Sequence, residues 1–135
     1  VLSKETNIVG GRVVNKPNQI NFQGLSITIE NPEGSVREWK GEEGKGKTLM
    51  YYKYGYINGT VGVDGEEVDC FIGNDPYAPM VYVIRLGKDD REEKIMFGFT
   101  SQDAARDAFL AHYQSSDFLG TIIEMPMHLF KETLE

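Results

Sequence analysis

Three carboxylates, Asp64, Glu66 and Asp69, fall within six residues, around a glycine turn at the entry to the apolar run Val68 to Ile72. Like charges this close repel or raise one another's pKa unless something positive sits among them. A hard divalent cation with oxygen ligands meets that need. The dipeptide Asp64-Gly65 accounts for a hairpin bend, yet it leaves Asp69 unexplained on the apolar strand. The glycine position and the interrupted ligand period do not suit an EF-hand loop. His112 and His128 lack Cys or His partners at zinc spacing. The single Cys70 alternates with Asp69 and so faces the other side, as a small core residue. The pattern reads first as a magnesium-type centre.

A second motif competes. Gly41-Glu-Glu-Gly-Lys-Gly-Lys47-Thr48 fits the P-loop pattern letter for letter. A P-loop needs a buried strand before it and a helix after it, whose first amides hold the phosphates. Ser35 to Lys40 is too polar for the strand, and Leu49 to Tyr56 is aromatic and β-prone, not helical. Glu42 and Glu43 would also turn negative charge toward a nucleotide. The stretch reads instead as a hairpin tip of small and charged residues.

The elements that must position these groups are mostly short strands. Leu25 to Glu30 alternates, with Leu25, Ile27 and Ile29 on one face. Pro32 and Gly34 turn the chain into Val36 to Trp39, and Lys47 to Ile57 continues β-prone. Further strands are expected at Val68–Ile72, Met80–Leu86 and Lys94–Phe99, parted by Asn74-Asp-Pro and Gly87-Lys-Asp-Asp. Thr100-x-x-Asp103 reads as a capping box opening a helix, and Pro126 as the first turn of a second helix ending near Leu134. Ala105, Phe109 and His112 share one side of the first helix. Residues 1–20 are polar and read as an arm or linker, leaving 21–135 as one domain. Many short strands with late helices favour a β-rich α+β fold, an antiparallel barrel with helices packed outside, over a parallel βαβ sheet.

Tyr54-Gly-Tyr-Ile-Asn58, followed by Asp64-Gly-Glu66 and Val68-Asp69, resembles the signature of the soluble family I inorganic pyrophosphatases. Ile29 to Arg37 and Lys94 to Phe99 resemble segments of compact pyrophosphatase-like domains in bacteriophage and mobile-element proteins. The likeness covers roughly residues 24–133. It implies a five-stranded OB-like antiparallel barrel with two C-terminal helices, and Mg²⁺-dependent hydrolysis of pyrophosphate, with Mn²⁺ as an alternative ion. It gives metals to Asp64, Asp69, Glu30, Asp89 or Asp90, and Glu92. It gives Glu66 both a metal and the activation of the attacking water, and phosphate oxygens to Arg37, Lys94, Tyr54 and Tyr113. Glu66 and Glu92 stand where the family has aspartate, and Gln114 where it has lysine. A domain that keeps the fold but has relaxed the site, serving a phage particle or a larger phage protein, is the alternative. So is a hydrolase of another phosphoanhydride.

A net charge of −7 argues against sequence-independent binding to nucleic acid or anionic membrane. One cysteine excludes an internal disulfide and suits a reducing compartment. The expected setting is the host cytoplasm or a virion, with self-association or phage structural proteins as partners. No run reaches membrane-span length and the start lacks signal-peptide character. The first residue, Val1, suggests a processed chain or a piece of a larger parent. Tyr51, Tyr52, Tyr54 and Tyr56 are expected as core or pocket walls, and Trp39 as packing.

Overall fold

The computed structural model describes residues 6–9, 12–15, 18–41, 44–87 and 92–134. Period-two alternation sorts its strands into two buried faces. The strands are β1 (Thr6–Val9), β2 (Arg12–Asn15), β3 (Gln19–Phe22), β4 (Leu25–Asn31), β5 (Val36–Gly41), β6 (Gly44–Leu49), β7 (Lys53–Ile57), β8 (Val68–Ile72), β9 (Met80–Leu86), β10 (Glu93–Phe97) and β11 (Leu119–Pro126). Helix α1 spans Gln102–Leu110 and α2 spans Met127–Thr133.

Seven strands form one sheet in the order β11-β9-β10-β8-β7-β4-β3. Its pairs are antiparallel except β8–β10, which is parallel. The protein is therefore β-rich α+β, but the ladder differs from the five-stranded barrel expected. Seven strands take part, and among the described residues no pairing joins β3 to β11.

The sheet nonetheless curls. Phe22 on β3 and Phe97 on β10 lie four ladder steps apart, about 19 Å in a flat sheet, yet their ring centroids are 5.4 Å apart. The concave face holds Ile27, Ile29, Ile57, Cys70, Val83 and Ile95, and Phe130 of α2 packs edge-on against Phe97. Beyond the ladder, Gln23 Nε2 donates to the carbonyls of Pro76 and Ala78, and Lys131 Nζ of α2 donates to the Gln23 carbonyl. Side chains and a helix draw the ends together where the ladder does not. The other face carries Phe71, Tyr82, Ile84 and Met96 under Ala105, Ala108 and Phe109 of α1.

Several expectations shift. Helix α1 is capped by Ser101, whose side chain accepts from the Ala104 N–H, one residue later than the Thr100 box. Asp103 instead pairs with Arg106 on the surface. His112 lies past the helix end but stays on its buried side, through an Nδ1–H bond to the Ala108 carbonyl at 2.6 Å. Pro126 caps α2 from just outside it. Between the helices lies β11, unannounced in the sequence because Gly120-Thr-Ile-Ile-Glu does not alternate. It is an edge strand with Ile123 about half exposed. Residues 6–9 and 12–15 form a hairpin of their own, and β3 already belongs to the sheet.

The P-loop-like stretch is a β-hairpin. β5 and β6 pair from Val36↔Leu49 to Gly41↔Gly44, and Lys47 and Thr48 lie within a strand, not at a helix start. Glu42, Glu43, Asp89 and Asp90 lie outside the described residues. No helix among the described residues is long and apolar enough to cross a membrane.

Candidate functional site

The site lies where β10, β8 and β7 run side by side. Lys94 is directly opposite Asp69 across the parallel ladder, and Tyr56 is opposite Asp69 across the antiparallel one. Alternation sends Asp69 to the α1 side of the sheet, while Val68 and Cys70 pack into the concave core. Gly55 separates Tyr54 from Tyr56 for a steric reason. A Cβ there would collide with the Thr28 carbonyl of β4, so the two strands can approach only at glycine.

Lys94 is the centre of the arrangement. Its residue is 3 % exposed, and its ammonium donates to Tyr54 Oη at 2.7 Å, Asp69 Oδ2 at 2.8 Å and Glu92 Oε1 at 2.8 Å. Those are all three protons an ammonium has. Tyr54 Oη in turn donates to Asp69 Oδ2 at 3.0 Å. Burial alone would push the Lys94 ammonium toward neutrality. The surrounding phenols of Tyr54 and Tyr113 and the carboxylates of Asp69 and Glu92 reverse this and hold it well above the ordinary lysine range. It is a buried, permanent cation.

A second cation stands beside it. The Arg37 guanidinium of β5 lies over the Tyr54 ring at 4.7 Å. Tyr113 follows α1 and stacks on Phe109 at 4.3 Å. Its phenol is raised first by burial, with Lys94 and Arg37 opposing and Glu92 and Asp69 adding. Tyr54 is likewise raised above the usual range chiefly by burial, with Lys94 and Arg37 opposing and Asp69 and Tyr113 adding. Arg37, Tyr54, Lys94 and Tyr113 therefore share one electrostatic neighbourhood.

Acidic groups rim it. A narrow recess beside Lys94 is lined by Asp64, Glu67, Asp69, Glu92 and Glu93. Glu30 is the extra residue of a bulge in β4, since Ile29 pairs with Gly55 and Asn31 with Tyr54. Such a bulge re-aims its side chain. The Glu30 carboxyl is raised by partial burial first, then by Asp69 and Glu67 against Arg37 and Lys94. Glu30 thus belongs to the same field.

Of the residues singled out from the sequence, Glu30, Arg37, Tyr54, Asp64, Asp69, Glu92, Lys94 and Tyr113 are brought together. Glu66 is not among the recess residues. It is exposed, with its backbone N–H bonded to Asp64 Oδ1 in the turn. Glu67, the exposed residue just before β8, lines the recess together with Val68 and Asp69. Gln114 is exposed.

The donor set is all oxygen and suits a hard divalent ion such as Mg²⁺. As the carboxylates stand, no group of three or more His, Cys, Asp or Glu among the described residues takes up a metal-holding arrangement. Asp69 and Glu92 are turned to Lys94.

Compared with known protein families, residues 13–135 match the family described as Inorganic Pyrophosphatase. No curated protein and no solved structure matches the chain. The match takes in every site residue above, and the chain belongs to the inorganic pyrophosphatase family.

Proposed function

We propose that this protein hydrolyses inorganic pyrophosphate to phosphate with Mg²⁺, which Mn²⁺ can replace, on a curled sheet equivalent to the family's OB-like barrel. The observation that carries the reading is a buried lysine cation with a second cation beside it, at the mouth of a recess of carboxylates. An acidic protein needs such a local reversal of charge to accept a dense anion.

Arg37 and Lys94 would neutralise phosphate oxygens, and Tyr54 and Tyr113 would orient them through phenolic hydrogens that burial keeps in place. Asp64, Glu67, Asp69 and Glu92 would hold the divalent ions, with Glu30 adding to the field and Asp89 or Asp90 joining by family position. When bound, such ions neutralise substrate charge and acidify a water. The family position gives water activation to Glu66. Both Glu66 and Glu67 are exposed, and Glu67 is favoured because it lines the recess, as Glu66 does not.

Lys94 has no proton to spare in this arrangement, so a phosphate oxygen at its ammonium takes the place of Asp69 or Glu92. The deciding measurement is phosphate release from pyrophosphate with and without millimolar Mg²⁺. Release that requires Mg²⁺ and stops with chelator is expected. Background release with both Mg²⁺ and Mn²⁺ would rule the activity out.

A further inference from the structure

The β5–β6 hairpin does more than deliver Arg37. Trp39 stands two residues further out on the same strand face, about 6–7 Å along the chain. Its cross-strand partner is Gly46. A Cβ at Gly46 would stand 2.8 and 2.9 Å from the indole Cη2 and Cε2 and closer still to Cζ2. Such near-equal spacing to three consecutive ring atoms means that the ring lies face-down on the glycine. The indole N–H donates to Thr48 Oγ1 at 3.0 Å, which fixes the ring's rotation. The residue is half-buried, so one ring face is seated on the hairpin and the other is left outward.

A fixed aromatic plate beside a phosphate site has an evident use. Bases stack on such rings whatever their identity, and a ring already held in place loses little entropy on binding. By the same alternation Glu38, Lys40, Lys45 and Lys47 belong to the opposite face of the hairpin, where Lys47 pairs with Glu38 at 3.7 Å. The cations on the plate's own side are therefore Arg37 and, beyond it, Lys94. The line from Trp39 through Arg37 to Lys94 runs from aromatic, to cation, to buried cation.

We propose that the site also accepts nucleoside diphosphates, with the base stacked on Trp39 and the two phosphates held between Arg37 and Lys94. This rests on the same phosphate site as the pyrophosphatase reading and extends its substrate class. It is unrelated to a P-loop, since the phosphates meet side chains of a strand and not the amides of a helix start. Single-stranded nucleic acid is the less favoured occupant. The net charge of −7 opposes a long polyanion, and the Arg37–Lys94 end calls for a terminal phosphate pair.

Trp39 is the chain's one tryptophan, so its fluorescence reports on this plate alone. ADP and GDP with Mg²⁺ should quench it saturably, and pyrophosphate should compete that quenching away. Trp39→Leu should weaken ADP binding, read by calorimetry, by roughly tenfold or more. Trp39→Phe should recover part of the loss, and pyrophosphate turnover should stay within about twofold in both variants. Equal ADP affinity in wild type and Trp39→Leu overturns the proposal, as does quenching by an oligonucleotide lacking terminal phosphates that pyrophosphate cannot displace. Pyrophosphate turnover without Trp39-dependent ADP binding defeats this inference alone. Trp39-dependent ADP binding without pyrophosphate turnover defeats the hydrolase reading and leaves the nucleotide site standing.

Discussion

Replacing Lys94 with methionine keeps most of the side chain's volume and removes one charge and three hydrogen bonds. The Lys94 side chain is 4 % exposed, while those of its partners Asp69 and Glu92 are 29 % and 32 % exposed. Breaking a fully buried pair costs about 3–5 kcal/mol, because the stranded charge cannot rehydrate. Here both carboxylates can turn partly to water, so the loss should be nearer 2–3 kcal/mol. Urea unfolding at pH 7.5 in chelator is the assay. The variant should also gain more stability from added Mg²⁺ than wild type, since its carboxylates have lost their resident cation. The sign with pH follows from the raised pKa. Lys94's contribution is fully present below about pH 10.4, the ordinary lysine value, and is lost only as pH climbs through the higher folded value. A loss under about 0.5 kcal/mol, the range of ordinary surface substitutions, would refute the account of Lys94 as a buried electrostatic centre.

Millimolar Mg²⁺ or Mn²⁺ should raise the wild-type melting temperature, because an ion bound only to the folded state stabilises it; identical melting curves across metals would count against the carboxylate recess as a metal site. Glu67→Ala should lower Mg²⁺-dependent phosphate release by about 10²–10⁴-fold and weaken Mn²⁺ binding by calorimetry, whereas Glu66→Ala should change both far less; the reverse order would return the role to Glu66. His112 accepts the Tyr51 N–H at Nε2 and donates from Nδ1, so it is neutral, and burial holds its pKa below the ordinary value. Its contribution is therefore complete above about pH 6.5 and falls with pH below that, by up to about 1.4 kcal/mol per unit. Unfolding free energies measured from pH 7.5 to 5.5 should show that decline in wild type and lose it in His112→Gln, and a slope shared by both would refute it.

Strands whose two faces meet different surroundings were legible in the sequence. Leu25, Ile27 and Ile29 point into the concave core as their alternation requires, and Met80–Leu86 keeps its expected bounds. β11 was not legible, because an edge strand carries only one half-buried ladder and its Gly-Thr-Ile-Ile-Glu run has no period to read. Closure was not legible either. The curl shows only in contacts such as Phe22–Phe97 and Gln23 to Ala78, which join residues more than fifty positions apart. The helix cap moved by one residue because Thr100 and Ser101 offer equivalent hydroxyls. Which of them meets the orphan N–H depends on how the chain leaves β10, not on the residue types.

Spacing put Asp64, Glu66 and Asp69 in one cluster, and the bend before β8 sorts them: Asp64 and Asp69 line the recess, and Glu66 does not. Lys94 and Glu92, two residues apart, do share a side, and their side chains meet at 2.8 Å. Glu30 is the instructive exception: plain alternation already sends it away from Ile29, but the bulge between Ile29 and Asn31 is what turns it toward Asp69 and Glu67. Trp39 was read as packing, and one face of its indole does pack on the hairpin. Only the pairing with Gly46 shows that the indole is laid flat there, on the strand face that also carries Arg37. The placement of a cation on β5, a phenol on β7, a carboxylate on β8 and a lysine on β10 is a property of strand order, and strand order is set by long-range pairings that no local window contains.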